Sequence, residues 1–269
     1  MLRCKLIGAC LGVAIVVSAT PLYAQLPFST DDADTTAKGK FHLELSNEYD
    51  WLQTASFPGR RQNTFLFSLN YGVTDRIDLN VSAPFIRISN DRTSRLGNPT
   101  GIGDVQFGVK VKLLDERNGS KRPAAAMVFY VDAPTGSTRK QIGSGLTDYW
   151  LYGVLQKSFT KRTTGRLNAG VLFAGDGSSG LLGVRSSRGQ VFTGNGSLIR
   201  NFTPRLRLGA ELFGAVTNNF DLTRGQLVGQ IGGGYLLSEK LEVTFGALAG
   251  RFAASPRLGV QIGMAYDFE

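Results

Sequence analysis

Cysteine is nearly absent from this sequence, histidine occurs once, and past the first residues no long apolar run exists. Both cysteines, Cys4 and Cys10, lie in the first ten residues. A chain that loses that segment on export has no thiol, no disulfide and no thiolate metal site. His42, the single histidine, leaves general-base catalysis by imidazole one position to work from. Beyond residue 24 the longest apolar stretch, 124–131, has eight residues, far short of the roughly 18–20 a transmembrane helix needs. If the rest of the chain enters a membrane, it must do so as a closed barrel, because open sheets leave backbone groups unpaired in lipid.

What is present begins with a basic segment, Met1-Leu-Arg3-Cys4-Lys5, then an apolar stretch from Leu6 to Val17, then a small-residue site ending at Ala24. That order is a secretory signal peptide, expected to span 1–24. A lipoprotein signal using Cys10 would leave too short an apolar stretch before the cysteine. Without Arg3 and Lys5 the chain carries 28 basic and 21 acidic residues, a net charge of +7. Such a balance can point to nucleic acid. Here no basic run is denser than Arg60-Arg61 or Lys161-Arg162, and export removes the chain from nucleic acid. No nucleic-acid partner is expected.

The remaining sequence is rich in glycine, with 34 in all, and it alternates. At the C-terminus, Leu258, Val260, Ile262, Met264, Tyr266 and Phe268 fall at every second position, with Gly259, Gln261, Gly263, Ala265 and Asp267 between them. A period of two marks a strand with one apolar and one polar face. The same rhythm runs through Phe41, Leu43 and Leu45 against His42 and Glu44. It recurs in Phe65, Phe67 and Leu69, in Ile77, Leu79 and Val81, and in Val105, Phe107, Val109 and Val111 against Lys110 and Lys112. It blurs over 124–132, apolar on both faces, and over 147–159, where Trp150 and Tyr152 fall on the polar side. It sharpens again to the end. About twelve strands result, each near the 9–11 residues that cross a membrane at a tilt.

The connectors alternate too. Expected short turns at 74–76, 115–121, 160–165, 203–205 and 238–240 alternate with longer loops at 53–61, 89–103, 134–146, 176–189 and 217–225; only 253–256 is short among the latter. Turns on the periplasmic side and loops outside produce this pattern. The reading is an all-β, transmembrane, antiparallel up-and-down β-barrel over 40–269 in the bacterial outer membrane, preceded by a polar periplasmic strap at 25–39. Outer-membrane lipid is then one partner. The insertion machinery, reading the terminal Tyr266-Asp-Phe268 strand, is another.

Motifs for chemistry are few. Gly175-Asp-Gly177-Ser-Ser-Gly180 fits a dinucleotide-binding spacing but has no helix behind it to hold a pyrophosphate. Asp31, Asp32 and Asp34 lack the glycine and distal glutamate of a calcium loop. His42 has no serine motif to activate. No cofactor, metal or catalytic residue is expected. The candidate functional surface is the lumen: Glu44, Asp78, Asp104, Lys110, Lys112, Arg207, Glu211 and Glu242 fall on polar faces. Their mixed signs argue against strong ion selectivity, and a lysine pair on a strand's polar face calls for water there. Twelve tilted strands enclose roughly 24 Å between backbones, leaving a bore on the order of 10 Å or less. Trp150, Tyr152, Phe129, Phe192 and Phe213 could line an apolar path, but register leaves each open between lumen and lipid.

Several segments together resemble one family, the outer-membrane transporters associated with the meta-pathway of phenol degradation. They are Pro27-Phe-Ser-Thr30-Asp-Asp-Ala-Asp34-Thr35, Lys38-Gly39, Leu43-Glu44, the run from Leu69 to Leu79, and Pro84. Next come Gly101-Ile-Gly-Asp104 with Gly108 and Lys110, and Asp132-Ala-Pro-Thr-Gly136 with Gly143-Ser-Gly145 and Asp148. The resemblance covers most of 27–160. It implies a barrel moving small hydrophobic or aromatic solutes across the outer membrane. Combined with the strand rhythm, the expectation is passive diffusion through a porin-like channel. The alternatives are a structural or adhesive barrel with a plugged lumen and, third, a barrel hydrolase using His42.

Overall fold

The structure, a computed structural model, describes residues 26–94, 97–117, 121–174, 189–217 and 225–269. The leader expected at 1–24, the glycine motif at 175–180 and nearly all of the loops expected at 176–189 and 217–225 lie outside those residues. Thirteen strands follow in order: β1 (Phe41–Leu52), β2 (Gly59–Thr74), β3 (Ile77–Asn90), β4 (Thr100–Ile102), β5 (Val105–Leu114), β6 (Ala124–Ala133) and β7 (Asp148–Thr160). Then come β8 (Thr163–Ala174), β9 (Gly189–Asn201), β10 (Leu206–Thr217), β11 (Gln226–Leu236), β12 (Leu241–Gly250) and β13 (Pro256–Phe268).

Each strand pairs antiparallel with its neighbours, β1 pairs with both β2 and β13, and β2 pairs with β3, so the ring is closed. β4 and β5 are one stave in two pieces, both pairing with β3, which makes twelve staves. The interruption falls at Gly103 and Asp104, beside Pro84 on β3. Proline offers no N–H to the ladder, while its carbonyl accepts the Gly103 N–H at 2.8 Å. Asp104 is thereby released from the ladder for another task.

Closure runs through the alternating C-terminal strand: Phe41 faces Phe268, and the register holds without a bulge to Trp51 opposite Leu258. Pairing of the first and last strands removes the edge each would otherwise present. Outward positions carry the apolar set, with Ile231 at 66%, Leu167 at 61% and Ile262 at 60% exposure. A band of such side chains around the whole wall is stable only against lipid. Aromatic rings cluster at its rims. Phe41 lies 5.3 Å from Phe268 and 4.8 Å from Tyr71 at one end, and Tyr49 lies 5.1 Å from Trp51 at the other.

Two-residue turns at 75–76 and 161–162 share an end with Phe41 and Phe268, whereas the connections at 91–99 and 134–147 share the other. The short-turn end is periplasmic. Two expected loops are shorter than the polarity of their sequence suggested. β2 already starts at Gly59 and β3 runs to Asn90, with Arg61 opposite Ser89; β4 takes residues 100–102. Hydrophobic alternation stops at the membrane surface, but backbone pairing continues beyond it.

Ile262→Lys, which places a charge on the lipid face of the closing strand, should cost about 2–4 kcal/mol in bilayer unfolding titrations. Asp267→Leu should instead act locally, because that inward carboxylate meets His42 Nδ1 at 2.6 Å.

Candidate functional site

The residues ahead of β1 enter the barrel. Gly39, in the left-handed region at φ 78°, redirects the chain, and its N–H donates to the Gly72 carbonyl at 2.7 Å. A Cβ at position 72 would overlap the carbonyl oxygens of Thr36 and Ala37, so only glycine lets the strap pass the wall there.

From that point residues 26–38 are tied to the wall strand by strand. The Thr36 N–H donates to Asp78 at 2.8 Å. Asp34 accepts from Lys112 Nζ at 2.9 Å and Gln156 Nε2 at 2.8 Å. Asp31 and Asp32 take Lys110 Nζ at 2.7 and 3.2 Å. The Tyr152 hydroxyl donates to Asp31 at 3.0 Å, and Arg166 lies 3.5 Å from Asp32. Glu211 accepts the N–H groups of Ser29 and Thr30, both at 3.1 Å. Gln230 donates to the Pro27 carbonyl at 2.6 Å. Arg207 donates to the Leu26 carbonyl at 2.6 Å while gripping Glu242 at 2.5 and 3.0 Å. The Leu26 N–H reaches Glu44 at 3.3 Å.

The centre of this arrangement is dry. Lys110 is 6% exposed, Asp31 4%, Asp32 2% and Arg166 5%. Two carboxylates and two cations cancel, which is the condition for tolerating charge at such depth. Water on the lysine face, inferred from sequence, is thus replaced at Lys110 by strap carboxylates. Ala33, fully buried, packs on Ala124, Ala126, Val128 and Val154. That contact explains why β6 is apolar on both faces. Lys112 also bridges to Asp115 in the periplasmic turn at 3.1 Å, and this hydrogen bond holds the Asp115 carboxyl below the usual carboxylate range.

On the long-loop side of the strap lies a cavity of about 400 Å³. The aromatic Tyr130, Trp150, Tyr152 and Phe213 line it together with Thr64, Ser82, Gln106 and Asn195, and Ser29 of the strap contributes to it. The Trp150 indole N–H donates to Asp132 at 2.8 Å and Gln106 donates to the same carboxylate at 2.8 Å. Strand register points Trp150, Tyr152 and Phe213 inward; Phe129 and Phe192 point outward, at 40% and 37% exposure. Asp104, released by the stave break, accepts from the N–H groups of Gly136 at 2.8 Å and Ser144 at 2.6 Å, clasping the β6–β7 loop.

All eight lumen candidates have inward registers or contacts. Glu44, Asp78, Lys110, Lys112, Arg207, Glu211 and Glu242 serve the strap, and Asp104 serves the loop. From sequence, the strap's own aspartates were weighed only as a calcium loop, and none of Gln156, Arg166 and Gln230 was singled out. The available signal was three strap carboxylates set against the Lys110 and Lys112 pair. These aspartates pair with Lys110 and Lys112. His42 gives both ring nitrogens to carboxylates, Asp267 and Glu44 at 3.3 Å.

The family model described as "Putative MetA-pathway of phenol degradation" matches residues 30–268. The chain belongs to this family. An outer-membrane channel from Pseudomonas putida F1 has the same fold, with a TM-score of 0.68, 16% identity, and coverage of 90% of this chain and 100% of that one. The NanC porin gives 0.55 and 12%, covering 83% and 98%. The KdgM porin in complex with disordered oligogalacturonate gives 0.52 and 11%, covering 85% and 99%. No curated protein matches. With its closed wall and lipid-facing band, this family member is an outer-membrane β-barrel with the fold of those channels.

Lys110→Met would leave two buried carboxylates short of a cation, a loss of about 3–5 kcal/mol in strap anchoring. In a chain carrying Thr30→Cys, maleimide labelling should then accelerate by about tenfold or more.

Proposed function

We propose that this barrel admits small apolar or aromatic solutes by passive diffusion from the extracellular side. The supporting observation is the cavity of about 400 Å³ with Tyr130, Trp150, Tyr152 and Phe213 in its lining. Sites for small molecules are concave, largely apolar and supplied with a few placed polar groups, and this one has both kinds of lining. Its volume suits a single small molecule rather than a polymer. The strap stands between the cavity and the periplasmic end, so passage depends on what the strap allows.

Residues 25–39 act in this reading as one unit, a lumenal strap, behind a leader ending near Ala24. The C-terminal strand serves the insertion machinery before closure, because in the finished barrel Phe268 is stacked on Phe41. The strap also favours a second reading: a barrel sealed for a structural or adhesive role. Hydrolysis by His42 gains no support, since among the described residues both its nitrogens have carboxylate partners.

The two tryptophans are Trp51, on the outer face, and Trp150. A Trp51→Phe chain therefore reports from the cavity alone. A monoaromatic solute should quench Trp150 saturably, and Phe213→Ala should weaken that binding by about two- to tenfold. Cells in which this barrel is the sole uptake route should take the solute up. Absence of both saturable quenching and uptake supports the sealed barrel.

A further inference from the structure

The outer wall carries a second feature that the lumen does not use. On the lipid side of β2, β3 and β4, Phe65 faces Phe85 and Phe85 faces Ile102, all exposed. One rung nearer the extracellular end, the outward row is Asn63, Arg87 and Thr100. One rung further, Arg61 sits between Trp51 and Ser89. Lys140, on the β6–β7 loop, donates from Nζ to the Thr100 carbonyl at 3.2 Å, which brings it beside Arg87. Arg61, Arg87 and Lys140 are all exposed.

Among the described residues these three cations have no acidic counterpart. No aspartate or glutamate holds an outward register on any described strand. The acid nearest in the chain, Asp91, is engaged by Arg60 at 2.9 Å and by Thr93 at 2.7 Å. Arg61 has only the Tyr49 hydroxyl, at 3.5 Å. Two successive rungs are separated by roughly 7 Å along a strand, so the cations stand just above an apolar wall, beside the Tyr49–Trp51 aromatic rim. Lys140 is held there from a distance: Asp104 clasps Gly136 and Ser144 on either side of the turn that bears it.

We infer that this shelf binds the phosphate of an outer-leaflet glycolipid, with the acyl chains on Phe65, Phe85 and Ile102. Guanidinium groups match phosphate oxygens bidentately, and each cation at a membrane surface strengthens attraction to anionic lipid. The level is set by the wall itself, apolar below and cationic above, on the leaflet facing the long loops. A lipid lacking phosphate would satisfy the wall and leave the cations bare.

The test uses the full-length barrel in phosphatidylcholine nanodiscs, titrated with a diphosphorylated glycolipid and with its dephosphorylated form, read by native mass spectrometry. The phosphorylated form should bind, and the dephosphorylated form should be weaker by about a hundredfold. Arg61→Gln/Arg87→Gln/Lys140→Gln should lose that preference, whereas Lys157→Gln, an outward cation at the periplasmic end, should keep it. Heat-dependent gel migration establishes that each barrel is closed. If the triple variant does not fold, Arg87→Gln should weaken binding and Arg87→Lys should recover part of it. Equal binding of both lipids, wild-type affinity in the triple variant, or displacement by millimolar inorganic phosphate would each overturn the assignment.

Discussion

The buried charge cluster of Lys110, Asp31, Asp32 and Arg166 is the interaction on which the rest of the lumen depends. A twelve-stave barrel alone encloses a space too wide for its own side chains to fill. Here a length of chain fills it, and a polar backbone can lie there only if its groups find partners. The wall supplies them in sequence, from Asp78 round to Glu44. The two strap aspartates and the two wall cations fix its depth, since removing any one leaves an uncompensated charge away from water.

That anchoring shapes the function proposed. By occupying one end of the lumen, the strap converts a tube into a cavity lined by both aromatic and polar side chains. Tyr152, held through Asp31, and Ser29 of the strap, donating to Glu211, belong at once to the strap's seating and to the cavity lining. Binding in the cavity and seating of the strap therefore share residues. A solute pressing on Tyr152 bears directly on the Asp31 contact, a route by which cargo and plug can influence each other.

Much of the fold was legible because a barrel wall obeys a local rule. Alternation at period two identified nearly every stave, and the last strand was matched to the first by the need to close an edge. Where alternation failed, it failed for a reason visible only in three dimensions. β6 turns Ala124, Ala126 and Val128 inward because Ala33 packs on them; β7 turns Trp150 and Tyr152 inward because the cavity and the strap need them. The lumen candidates were chosen by parity, which says nothing of what each one holds. Lys110 reads as a solvated lysine until Asp31, 79 positions away, is brought against it. Phe129 could not be assigned a side from sequence because neighbouring residues on both faces are apolar, and Phe192 because the alternation around it is weak. Chain length in the loops was overestimated where polar residues continue to pair above the membrane.

The central claim is that the strap, held by its buried ion pairs, governs passage through the lumen. Single-channel conductance of the full-length barrel beside one lacking residues 25–38 in planar bilayers tests it most directly. Full-length protein should show little or no ohmic current, and the truncated barrel a stable open level. Equal conductance from both, with each barrel shown to be closed, would contradict the account.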